Sequence, residues 1–326
     1  MNNARLRVFP AISRNRDPGK YVDELMHVAR FADLHGLAGL LLFEGNDVFV
    51  QPWAMAQHIV AQTKRSSPLI AVNPVYMHPF TAAKLVSSFA QLYGRKLYLN
   101  MITGTAVSDL QALGDQCAHA DRYVRLGEFI KLVRLLLESS RPIDFRGNFY
   151  TASGLHLHYR PPADLLPEFL IAGQSDAAQR IAAEAGCIKM QMLPPDHDRG
   201  ISAPGLNFGI FARQGRDAAR RAARERFSDS AEGRELLTLT MENTDSVWKR
   251  RLFEGQTAEM QHNGYWLLPF LTFQADCPYL VGSYAEIGEK LRTFAAQGLT
   301  TIMLDMIADE AEMRHVGKAL QASGLF

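Results

Sequence analysis

The chain is short of cysteine, of long apolar runs and of net charge, and each shortage excludes something. Three cysteines occur in 326 residues, Cys117, Cys187 and Cys277. An odd, scattered count without a CxxC pair excludes a disulfide framework and a zinc site, and no metal is expected. No apolar run reaches transmembrane length, and the start lacks a charged-then-apolar secretory pattern. Thirty-five basic residues stand against 34 acidic ones, a net charge of +1. So even a balance creates no field to draw nucleic acid or an anionic membrane, and neither is expected as a partner. The dinucleotide fingerprint GxGxxG is missing after the first strand, as are a P-loop and a GxSxG elbow. What is left is a cytoplasmic enzyme or binding protein.

What is present is alternation. Eight apolar runs, RLRVFPAI, GLLLFEG, PLIAVNP, KLYLNMIT, FLIAG, CIKMQML, LNFGIFA and TTIMLDMI, read as buried strands. Helical periodicity separates most of them, most strongly in DRYVRLGEFIKLVRLLLE. Fully apolar strands alternating with helices predict a parallel sheet covered on both faces, and eight is the number of a (β/α)8 TIM barrel. We expect one α/β barrel domain over residues 1–326 with insertions. Residues 142–160 read as a small hairpin. Residues 194–205 are too short for a crossover helix. Residues 254–280 read as a long aromatic loop, and loops of that length are commonly functional.

Barrel sites lie just past the C-terminal ends of the strands. That rule singles out Glu44 and Asp47, His78, Asn100, Thr103, Gly173–Ser175, Arg213 and the surroundings of Asp305. Asn100 interrupts a buried run, so its amide either bonds a neighbouring strand or meets a polar heterocycle. Arg122, in HADRY, sits at a helix start, where a cation is unfavourable without an anion beside it, either a bound anion or, as is commoner for a single arginine, an exposed carboxylate of the chain. The stretch IAGQSDAAQ, residues 171–179, ends a strand in Gly-Gln-Ser and opens a helix at Asp176. That is an ordinary N-cap or a phosphate cradle. His156 and His158 are two apart without a third ligand, and Asp196-His197-Asp198 reads as a solvated loop.

The block from LNMITG through HADRYVRLGEF and DFRGNFY to IAGQSDAAQRIAAEAG resembles the bacterial-luciferase-like flavin-dependent monooxygenases. It is most similar to their alkanesulfonate branch, strongly over residues 96–193 and collinearly over most of the chain. The resemblance implies a (β/α)8 barrel that takes reduced FMN from a separate NAD(P)H:flavin reductase. It implies O2 as co-substrate, activated through a flavin C4a-peroxide, and a homo-oligomer. Carried over by position, Arg122, Tyr123, Gly173, Gln174 and Ser175 match the phosphate side. Asn100 and Thr103 match the ring side, and His119 matches the family histidine before Arg-Tyr. His119, Arg213 and His78 are the catalytic or substrate-side candidates.

The departures point to a changed substrate. Gln174 replaces the first serine of the usual pair, RLRVFPAI has no histidine, and the sulfonate-handling positions are nearly all different. A simple alkanesulfonate is therefore not expected. Tyr265, Trp266, Phe270 and Phe273 would make an apolar lid that excludes water, or else cover the barrel side. A lid of this kind suggests an apolar, polyketide- or peptide-like substrate, free or carrier-bound. A deazaflavin-dependent reductase on the same fold and a non-catalytic flavin-binding subunit are the alternatives.

Overall fold

The computed structural model describes residues 6–12, 17–104, 106–255 and 257–326. Arg5, which opens RLRVFPAI, lies outside the described residues. Along the chain come β1 (Arg7–Ala11), α1 (Pro18–Leu34), β2 (Leu41–Leu42), α2 (Pro52–Gln62), β3 (Leu69–Val72), α3 (Pro79–Tyr93) and β4 (Tyr98–Met101). Next are α4 (Val107–Ala112), α5 (His119–Glu138), β5 (Ile143–Arg146), β6 (Thr151–Leu155), β7 (Glu168–Ile171), α6 (Asp176–Glu184), β8 (Ile188–Met192) and β9 (Gly205–Arg213). Then α7 (Arg216–Arg226), α8 (Ala231–Glu242), α9 (Val247–Glu254), β10 (Tyr265–Trp266), α10 (Leu268–Leu271), β11 (Tyr279–Ser283), α11 (Tyr284–Ala296), β12 (Thr301–Asp305) and α12 (Glu310–Ser323) complete it.

All eight apolar runs are strands. Their order is β1-β12-β9-β8-β7-β4-β3-β2, the topology of a (β/α)8 barrel. The chain divides into two compact units. One comprises Met1–Leu41, Met190–Glu242 and Trp248–Phe326; the other comprises Leu42–Lys189 and Asn243–Val247.

In the first unit β12 is parallel to β1 on one side and β9 on the other. The amide of Ala38, just before β2, donates to Val8 O at 3.0 Å. Within the described part of the segment read as an aromatic loop, much of it loop, two short strands join the sheet. β10 runs antiparallel to β11, and β11 is parallel to the far half of β9. Tyr265, Trp266 and Phe270 are buried, and Trp266 donates its indole N–H to Ala258 O at 3.1 Å. Trp266 packs with Phe211, Phe227 and Tyr279 beneath α7, so these rings are core and the lid reading is overturned. Residues 194–205 hold only the short turn His197–Arg199. His197 is buried there, which corrects the solvated reading. Its Nδ1 lies 3.1 Å from Pro194 O and its Nε2 3.2 Å from Lys290 Nζ. An ammonium has only protons to give, so Nε2 accepts, Nδ1 carries the hydrogen and the ring is neutral. Burial first, then Lys290, hold its pKa below the ordinary histidine value.

In the second unit β3, β4, β7 and the first residues of β8 pair in parallel, in that order. Helices α2 and α3 each open with proline behind a capping side chain. Gln51 Oε1 accepts from Trp53 N at 2.7 Å, and His78 Nδ1 accepts from Phe80 N at 3.1 Å. Strands β5 and β6 form the expected antiparallel hairpin. Its turn is held from outside, because the Glu128 carboxylate of α5 accepts from the amides of Asn148, Phe149 and Tyr150 at 2.7, 2.9 and 3.2 Å.

Candidate functional site

The second unit gathers the C-terminal ends of β3, β4 and β7 and the starts of α5 and α6. Asn100, in β4, is paired across the sheet with Ala71 and Leu170, whose side chains offer no hydrogen-bonding group. Its Oδ1 is buried without a partner. An orphaned amide oxygen costs roughly 1–3 kcal/mol, so the reading in which that atom bonds a neighbouring strand does not hold. The strand end beyond it is shaped by Gly104, at φ +76°, where a Cβ would stand 3.0 Å from the Leu110 side chain and 3.1 Å from the side-chain Nδ2 of Asn73.

At the start of α5, Tyr123 is buried, with its hydroxyl near the side chains of Thr103 and Ser175. Burial raises the phenol above its ordinary pKa, so it is neutral. The ring of His119 packs edge-on to Tyr123, with centroids 5.2 Å apart. Gly173 is the position over which this tyrosine fits: a Cβ there would lie 2.4 Å from the Tyr123 hydroxyl and 2.5 Å from Ala178 Cβ. Ser175 caps α6, its Oγ accepting from Ala178 N at 3.2 Å. The amides of Asp176 and Ala177, in the first turn, have no partner within the helix. Thr103, Tyr123, Gly173 and Ser175 therefore converge on one helix start suited to an anion. Gln174 lies beside them and gives its carbonyl to Gln179 Nε2 at 3.2 Å.

Arg122 has a partner the sequence did not reveal. It is 3% exposed; Nη1 donates to Gly104 O at 2.7 Å and Nη2 pairs with Asp245. The anion wanted beside this cation is thus supplied by the chain itself. Arg125 is likewise forked onto Asp115 at 3.0 and 2.7 Å, which holds that carboxyl below its ordinary range. Nothing in N-T-D-S, whose Asp245 lies 123 residues from Arg122, signals the Arg122–Asp245 contact.

The remaining candidates are placed as follows. Past β2, burial raises the carboxyl of Glu44 above its ordinary pKa. Tyr76 bonds Asn46 Oδ1 at 2.7 Å, and burial together with Asp109, Glu44 and Asp47 pushes its phenol up to about 12. His78 is exposed, edge-on to Tyr150 at 5.6 Å, with Nδ1 committed to the α3 cap. In the first unit, Arg213 is forked onto Glu312 of α12 at 3.0 and 2.6 Å and lies over the Phe211 ring. Its fork donors are occupied. His156 and His158 stack edge-on at 4.7 Å. Among the described residues no group of three His, Cys, Asp or Glu is placed to hold a metal, and no helix is long and apolar enough to cross a membrane.

Comparison with known proteins agrees with the fold. The chain is 27% identical over 322 residues to the 4-(gamma-L-glutamylamino)butanoyl-[BtrI acyl-carrier protein] monooxygenase BtrO of Niallia circulans, covering 95% of this chain and 94% of that one. Among solved structures it resembles the EDTA monooxygenase EmoA of Chelativorans sp. BNC1, at TM-score 0.76 and 15% identity, covering 99% of this chain and 95% of that one. It also resembles a type II Baeyer-Villiger monooxygenase, the oxygenating constituent of 3,6-diketocamphane monooxygenase from Pseudomonas putida, in complex with FMN. There the TM-score is 0.70 at 15% identity, with 98% of each chain covered. Residues 7–301 match the model of the luciferase-like monooxygenases; the chain belongs to that family and is a flavin-dependent monooxygenase.

Proposed function

We propose that the chain uses reduced FMN and O2 to oxygenate an organic substrate that is carrier-bound or similarly tethered. The observation that carries the flavin reading is the pairing of an orphaned buried acceptor, Asn100 Oδ1, with an anion-suited helix start built by Thr103, Tyr123, Gly173 and Ser175. A flavin mononucleotide has a ring N–H donor at one end and a phosphate at the other, so the two features suit one ligand. Ser175 and the first amides of α6 would hold the phosphate, with Tyr123 as a neutral donor beside them. Asn100 would accept from the ring and fix its orientation. When bound, the reduced flavin supplies the two electrons that split O2, one oxygen atom entering the substrate and the other leaving as water. The chain's part is to position the ring and keep water out.

The carrier-bound substrate is supported by the BtrO relative, whose named substrate is attached to an acyl-carrier protein. The motif likeness to the alkanesulfonate branch supports the flavin side of that site, while the altered side chains past β2 and β9 speak for another substrate. His119 beside Tyr123, the raised carboxyl of Glu44, and His78 are the groups we place nearest the reacting substrate. A separate NAD(P)H:flavin reductase, a homo-oligomer and a cytoplasmic setting complete the proposal.

The test is anaerobic titration with reduced FMN, followed by oxygen with and without an acyl-carrier-linked substrate. Saturable binding and one O2 consumed per product support the reading. Failure to bind reduced FMN, or turnover without oxygen, overturns it; hydride transfer from a deazaflavin would then be the next assay.

A further inference from the structure

Residues Asn243–Val247 belong to the compact unit that carries the helix starts of α5 and α6, although the helices flanking them do not. They are stitched to the segment that opens α4. Thr244 bridges Ala106, and Val107 N donates to Asn243 O at 2.9 Å. The Asn243 side chain accepts from Ser108 N at 2.9 Å and donates to Ser108 Oγ at 2.7 Å. This anchorage delivers Asp245 to Arg122.

The resulting ion pair is not saturated. A guanidinium and a carboxylate can form two parallel bonds, as Arg125 and Asp115 do nearby. Arg122 and Asp245 form one. Arg122 Nε and Asp245 Oδ1 are both buried without a partner. So is the hydroxyl of Ser246, a residue only 4% exposed. The ion pair and the residue next to Asp245 in the chain thus leave two buried donors, the Nε–H and the Ser246 hydroxyl, and one buried carboxylate oxygen without partners. Phosphate oxygens would satisfy both donors. The Asp245 carboxylate would repel the same phosphate, which carries roughly −1.5 to −2 charges near neutral pH.

We propose that Asp245 is a competing counter-ion for Arg122: it neutralises the arginine when no phosphate is bound and yields the guanidinium to the FMN phosphate, loosening residues 243–247. This rests on the reading above, in which the start of α6 takes that phosphate. Asp245 then sets how strongly the site prefers FMN to a flavin without phosphate. By linkage, phosphate binding and the 243–247 anchorage oppose each other.

The experiment compares reduced FMN with reduced riboflavin, under anaerobic conditions, on wild type and Asp245→Asn by quenching of protein fluorescence. Hydrogen exchange of residues 243–247 in the wild type, with and without FMN, supplies the second readout. Removing the charge while keeping the shape should tighten FMN binding roughly tenfold, within the usual range for coupled sites, and leave riboflavin unchanged. FMN should also speed exchange in 243–247. Weaker or unchanged FMN binding in the variant, parallel changes for both flavins, or slower exchange with FMN would each overturn the proposal. If the variant does not fold, the wild-type exchange decides. Failure of this proposal alone leaves normal FMN binding to the wild type, whereas a wild type that binds neither flavin overturns the underlying reading as well.

Discussion

Gly173→Ala is the smallest change that separates a phosphate cradle from an ordinary cap. The added methyl would sit 2.4 Å from the Tyr123 hydroxyl, 3.2 Å from its Cζ and 2.5 Å from Ala178 Cβ. Neither neighbour can yield freely. Tyr123 is buried, and Ala178 is in the first turn of α6 with its amide held by Ser175. Relief must swing the buried ring aside or push the helix start away from β7, straining that cap. Overpacking of this kind costs about 1–3 kcal/mol. For a protein of this size each kcal/mol lowers Tm by about 2–4 °C. The expected result is a Tm drop of several degrees with FMN affinity reduced more than riboflavin affinity. In a Tyr123→Phe background the hydroxyl clash is gone but the Ala178 contact stays, so the same substitution should cost less without becoming free. Thermal unfolding and flavin titration of the four proteins measure both. A Gly173→Ala protein with unchanged Tm and an unchanged FMN-to-riboflavin ratio would refute the placement of Tyr123 over Gly173.

Asn100→Leu removes the orphaned acceptor, so the flavin-free protein should be as stable as wild type or gain about 1–3 kcal/mol, while FMN and riboflavin both bind more weakly; chemical denaturation and titration check the two halves. His197, neutral and held below its ordinary pKa by burial and Lys290, stabilises the fold above pH about 6.5 and withdraws that support as pH falls. The unfolded chain binds the proton first, so stability should decline by at most about 1.4 kcal/mol per pH unit below that point, and His197→Gln should flatten the slope in pH-dependent unfolding. Trp266→Ala should cost about 3–5 kcal/mol, as for a core ring; a variant of wild-type stability with altered substrate selectivity would instead restore the lid.

What the sequence showed and hid follows from the range of the forces involved. The eight strands were legible because each lies in a run rich in apolar residues, most of them buried on both faces, although β8 is only half-buried and β2 is two residues long. Thr103, Gly173 and Ser175 were legible as candidates because barrel sites lie just past strand ends, whereas Tyr123 entered only through the family resemblance, which put Thr103 on the ring side rather than beside it. Contacts decided by a single distant partner were not legible. Asp245 reaches Arg122 across 123 residues, and Lys290 reaches His197 across 93. Trp266 became core because Gly264 turns the chain so that β10 can lie along β11, a pairing only two residues long. The short α4 and the terminal α12 were passed over, the first for its length and the second because AEMRHVGKALQAS follows the last strand, after the alternation had already reached eight. Arg122 shows why this matters for function. Composition and position identify a cation that requires an anion, and the fold supplies one in Asp245. On the counter-ion proposal a phosphate would gain that arginine only by displacing a carboxylate already in place, so affinity at this site would be set by the difference between two ion pairs.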